Sequence, residues 1–101
     1  MRKKIKISEL SDFDLAEQLK DEDDIAVYIT LVIEDGDASE LARALGIAAR
    51  ARGMSDIAKA SGITREALYK ALRLGANPRF ETINRVCTAL GVKLVAQPIH
   101  T

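Results

Sequence analysis

Met54-Ser55-Asp56-Ile57-Ala58-Lys59-Ala60-Ser61-Gly62-Ile63-Thr64-Arg65-Glu66-Ala67-Leu68-Tyr69-Lys70-Ala71-Leu72 reads as two short helices joined by a tight glycine turn. Ala58 falls where the two helices cross, a place with room for a methyl group and little more. Gly62 follows four residues later, in a turn that calls for positive φ. Ile57, Ile63, Leu68 and Leu72 recur at a spacing that turns them inward. Arg65, Glu66, Tyr69, Lys70 and Arg73 fall on the opposite side of the second helix. The inner set packs, and the outer set is free to read something. A helix-turn-helix with a cationic outer face points to duplex DNA.

Ser55 and Thr64 are placed to cap the two helices, each accepting from a backbone N–H that lacks a helical partner. Neither begins a full capping box, because Ala58 and Ala67 stand where Glu or Gln would reach back. Isolated helices shorter than about 12 to 15 residues are marginal in water, so the pair belongs to a packed domain.

The 101 residues have room for one domain and one core. With 48% hydrophobic and 30% charged residues, no Trp and four aromatics, the composition suits a small, aliphatic, all-α protein. The longest apolar run, Ile25 to Ile33, is far short of the roughly 20 residues of a membrane span. The basic start, Met1 to Lys6, is not followed by the apolar stretch of a secretory signal, and a cytoplasmic location is expected. Cys87, the single cysteine, cannot form an internal disulfide. With one distant His100 it cannot complete a four-ligand zinc site, so no metal or other cofactor is expected.

The net charge of zero conceals a strong polarity. Residues 9–35 carry ten acidic side chains against Lys20 alone, whereas residues 50–85 carry eight basic ones against Asp56, Glu66 and Glu81. A basic surface on a helix-turn-helix attracts phosphate whatever the total says. The acidic half, with Asp21-Glu22-Asp23-Asp24 at its centre, reads first as loop and helix cap and second as a partner-binding patch.

Arg2 to Ser8 alternates basic and apolar residues, as a short strand or a basic arm. A helix is predicted from Asp12, with Ser11 or Asp12 at its start, Phe13, Ala16 and Leu19 or Lys20 on one side, and a stop near Asp21. A second runs from about Asp23 to Glu34, its inner face Ile25, Tyr28, Ile29, Val32 and Ile33, with Gly36 as its stop and a strand as the alternative. Asp37-Ala38-Ser39-Glu40 offers a capping box for a third helix that ends at Gly53 and faces inward with Leu41, Ala44, Leu45 and Ala48. After the Gly75-Ala76-Asn77-Pro78 loop, a last helix from Arg79 or Phe80 to Leu90 turns Phe80, Ile83, Val86, Cys87 and Leu90 inward. Val92 to Gln97 alternates apolar and polar residues before Pro98, the mark of a short edge strand whose partner is the N-terminal arm or a second subunit. The expected layout is thus a basic arm (1–8), acidic helices (9–36), a helix-turn-helix core (37–91) and a C-terminal strand and tail (92–101).

Phe13-Asp14-Leu15-Ala16-Glu17-Gln18-Leu19, Asp24 to Tyr28, Glu34-Asp35-Gly36-Asp37 and Ala48 to Ser55 occur in fixed order. Arg65 to Leu72, Gly75 to Phe80 and Ala89 to Leu94 complete the series. Across nearly the whole length the chain thereby resembles the addiction-module antidote proteins of the Xre-type helix-turn-helix group, the HigA-like antitoxins. The resemblance implies a dimeric, helical, DNA-binding antitoxin that neutralises a small basic RelE/ParE-like toxin encoded beside it and represses their shared promoter. The alternative is a stand-alone Xre-type repressor without a toxin. Ser61, before Gly62, departs from the apolar residue often found there and is expected to loosen the packing of the two helices.

If the helix beginning after Thr64 enters the major groove N-terminus first, Arg65, Glu66, Tyr69 and Lys70 lie nearest the base edges. Arg65 is the lead reader, able to donate twice to guanine. Glu66 either accepts from cytosine or pairs with Arg79 or Lys70. Lys70, Arg73, Asn77, Arg79 and the helix starts at Ser55 and Phe80 are candidates for phosphate. The toxin-binding face is not legible. Paired carboxylates in a cleft, a phosphate-cradling glycine loop and a nucleophile with a nearby base are all absent from the pattern, so no enzyme is expected.

Overall fold

Five of the six glycines have positive φ, and four of those five end a helix, which divides the chain into short rods. The computed structural model describes residues 11–99; the N-terminal arm and His100 lie outside that range. Among the described residues there are six helices and no strand. They are α1 (Asp12–Gln18), α2 (Glu22–Asp35), α3 (Ala38–Arg52), α4 (Met54–Ser61), α5 (Arg65–Ala71) and α6 (Phe80–Leu90).

Helix α3 is the axle. It packs against α1, α2, α4, α5 and α6, and it can do so because Ala42, Ala44, Leu45, Gly46, Ile47, Ala48 and Ala49 are all buried. A continuous buried run on a helix means contact on every side, a wider inward surface than the single face that periodicity predicted. Gly46 permits the closest approach: a Cβ there would strike the main-chain carbonyl oxygen of Leu72, just beyond α5.

Side chains cap four of the helix starts. Ser11 Oγ accepts from the N–H of Asp14, Asp21 from Asp24, Asp37 from Ser39 and Thr64 Oγ1 from Ala67. The predicted capping box at α3 does not close, because Glu40 turns toward Arg43 at 3.0 Å. Asp37 instead accepts from both the N–H and the hydroxyl of Ser39, the hydroxyl bond foremost in holding its carboxyl below the ordinary value. Ser55 is not a cap. Gly53 occupies that position, with φ of 103°, and Ser55 lies exposed in the first turn of α4.

The core unites Leu15, Leu19, Ile25, Tyr28, Ile29, Leu45, Ile57, Leu68, Leu72, Val86, Cys87 and Leu90 with Ala44, Ala48 and Ala49 of α3. Burial pushes the Cys87 thiol up to about 11, so it behaves as a small apolar group at neutral pH. Three aromatic or aliphatic side chains assigned inward are exposed: Phe13, Ile33 and Phe80. In α1 the Ser11 cap and the Asp12–Arg43 ion pair set the rotation, so Leu15 and Leu19 meet α3 and Phe13 points away. In α6, Phe80 begins the helix, one turn ahead of the part-buried Ile83, where the chain has left the core.

The predicted C-terminal edge strand is not seen among the described residues. Gly91 at φ 84° closes α6, with Gly91 N–H donating to the Thr88 carbonyl at 3.0 Å and Val92 N–H to that of Cys87 at 2.9 Å. Residues 92–99 run without regular structure, and the N-terminal arm weighed as the strand's partner lies outside the described residues. Leu94 still packs on the core, while Val95 and Ile99 are exposed.

Candidate nucleic-acid interface

The α4–α5 pair turns on one carbonyl. Ala58 O accepts from Gly62 N–H at 3.0 Å, Ile63 N–H at 3.2 Å and the Ser61 hydroxyl at 3.3 Å. Ser61 Oγ also accepts from Ile63 N–H at 3.3 Å, so this buried hydroxyl is fully engaged and laces the turn. The polar residue is thus accommodated with its hydroxyl partnered inside the turn. Gly62 has φ of 73° and open space around a would-be Cβ, so dihedral freedom rather than crowding selects it. Ala58 packs against the core beside Ile57 and Ile63.

Helix α5 is anchored by Leu68, with no exposed surface, and by Leu72 just past its end. That anchoring fixes the outward side: Arg65, Glu66, Tyr69 and Lys70 are exposed, and Arg73 follows in the next turn. Asn77 is exposed in the loop before α6, and Arg79 sits exposed at the N-cap of α6. Thr64 is exposed at the head of α5, its Oγ1 accepting from the Ala67 N–H at 3.1 Å. Ser55 lies in the first turn of α4. The starts of α4 and α6 carry no side-chain cap hydrogen bond, unlike those of α1, α2, α3 and α5.

The ion pairs among the described residues join Arg43 to Asp12 and Glu40, Arg52 to Glu22, and Arg85 to Glu81. None involves Arg65, Lys70, Arg73, Arg79 or Glu66, so the Glu66 pairing weighed from sequence does not form. Tyr69 organises part of this surface. The Arg65 guanidinium carbon lies 5.6 Å from its ring centroid, and Arg65 Nη2 donates to its hydroxyl at 3.5 Å. Arg50, in the last turn of α3, approaches the same ring at 5.9 Å. Arg50 is the residue that reading the helix pair alone misses; it counted toward the basic excess of residues 50–85, but only the packing of α3 on α5 brings it here.

Residues 9–98 match the family model described as "Probable addiction module antidote protein". The chain belongs to that family. A relative in Haemophilus influenzae, described as an uncharacterized protein, is 43% identical over 89 residues, covering 88% of this chain and 92% of the relative. No solved structure matches. The antidote family match spans both the acidic helices α1–α2 and the basic α5 face, so the two oppositely charged regions belong to one family unit. Among the described residues of this antidote-family chain, no helix is long and apolar enough to cross a membrane.

Proposed function

We propose that this protein is the antitoxin of a type II toxin–antitoxin module, a HigA-like member of the Xre-type helix-turn-helix group. It binds and neutralises a small basic RelE/ParE-like toxin and, as a homodimer, represses its own operon. In this reading α4–α5 is the helix-turn-helix and α5 enters the major groove from its N-terminal end. Arg65 reads guanine and Glu66, Tyr69 and Lys70 lie along the base edges, while Arg73, Asn77 and Arg79 touch phosphate. The uncapped starts of α4 and α6 offer free amides to the same backbone. No catalytic step is assigned to the chain.

The observation that carries the reading is a cationic face on α5 without a carboxylate partner among the described residues, held outward by a buried Leu68. Membership in an antidote family supports the toxin partnership.

Footprinting upstream of the protein's own gene supplies the operator for the test. Arg65→Ala is expected to weaken operator binding by roughly 1 to 3 kcal/mol and to relax one base preference, with a smaller loss on scrambled duplex. Equal losses on both duplexes would remove Arg65 from its reading role. Co-expression with the protein of the adjacent reading frame tests the other half, and failure of the two to co-purify would leave a repressor without a toxin.

A further inference from the structure

Two guanidinium groups from different helices converge on one exposed ring. Arg50 reaches Tyr69 from the last turn of α3 and Arg65 from the first turn of α5, at 5.9 and 5.6 Å from the ring centroid. Both are cations set against one ring, and the four ion pairs of the described residues supply neither with a carboxylate. The neighbouring cations differ in this respect: Arg43 and Arg52 of the same helix α3 are both paired. Arg65 also stands at the positive end of the α5 dipole, a place that disfavours a cation, whereas Arg50 at the C-terminal end of α3 is favoured there. An aromatic platform that holds two uncompensated guanidiniums in fixed places is prepared for an anion.

We infer that Arg50 is a further DNA-contact residue, gripping a backbone phosphate beside the groove that α5 enters, and that Tyr69 is the positioning residue holding Arg50 and Arg65 in place. This inference rests on the DNA-binding reading above. It extends the contact surface from the helix pair to α3, so that the central helix of the fold takes part in binding directly.

The test measures binding of the full chain to the footprinted operator and to a scrambled duplex across a salt series. Arg50→Ala is expected to weaken both duplexes by the same factor and to reduce the slope of log affinity against log salt by about 0.9, the value for one phosphate. Arg50→Lys keeps the charge and restores the slope, which a purely structural role does not predict. Tyr69→Ala reduces affinity and the operator preference, and adds little once Arg65 and Arg50 are already alanine. Operator binding by the unaltered protein together with an unchanged slope for Arg50→Ala would overturn the phosphate contact. Full additivity of Tyr69→Ala with the two arginine changes would overturn the positioning role. Absence of salt-dependent binding by the unaltered protein would sink the DNA reading itself, and this inference with it.

Discussion

The acidic helices α1 and α2 and the basic surface around α5 carry charge of opposite sign, and the charges do different work. On the acidic side Asp12 pairs with Arg43 and Glu22 with Arg52, ties of 31 and 30 residues along the chain that clasp α1 and α2 to α3. Asp21 caps α2, and Asp24 accepts from the Lys20 N–H at 3.0 Å. Much of the carboxylate excess is therefore engaged within the fold. On the basic side Arg65, Lys70, Arg73 and Arg79 have no such partners among the described residues. A net charge of zero says nothing about this, because what separates a structural charge from an available one is the partner within reach.

The comparison can be broken first from below the basic surface. Leu68→Ala leaves every charge in place and empties the packed centre under α5, and chemical denaturation is expected to show a loss of about 2 to 5 kcal/mol. An unchanged midpoint would mean that α5 does not depend on that anchor. Gly46→Ala acts from the other side of the same contact by pushing α3 against the Leu72 carbonyl, with an expected loss of about 1 to 3 kcal/mol by thermal or urea melting. A stabilised variant, as helix propensity alone would give, would contradict the close approach. Thr64→Ala removes the cap of α5 and is expected to cost about 1 kcal/mol, with exchange of the Ala67 amide speeding up. The smallest effect sharpens the acidic side: a double-mutant cycle on Glu22 and Arg52 is expected to give a coupling of about 0.2 to 1 kcal/mol that fades with salt, since both side chains are partly exposed. A coupling that survives high salt would place that pair in a more protected setting.

Helix boundaries near glycine were legible in the sequence because Gly36, Gly53, Gly62 and Gly91 each stop a helix by a local device that needs no knowledge of the rest of the chain. The outward face of α5 was legible for a similar reason: a buried Leu68 and Leu72 fix its rotation. What failed depends on tertiary structure. Phe13, Ile33 and Phe80 fit an apolar stripe at helical spacing, yet neighbouring packing, not spacing, decides where the stripe ends. Val92 to Gln97 alternates as a strand does, but alternation describes any extended chain and cannot supply a partner. Gly46 carries the close approach of α3 to the end of α5, which spacing along α3 alone does not reveal. Arg50 lies outside the helix pair, so its approach to Tyr69 could not be read from spacing along either helix.

The most direct measurement of the central claim, that the unpaired basic surface rather than the clasped acidic one meets DNA, is amide chemical-shift mapping of the full chain titrated with its operator duplex. The account predicts shifts concentrated on residues 64–73, on Arg50 and on residues 77–79, with α1 and α2 nearly silent. Shifts confined to α1 and α2, or none at saturating duplex, would contradict it.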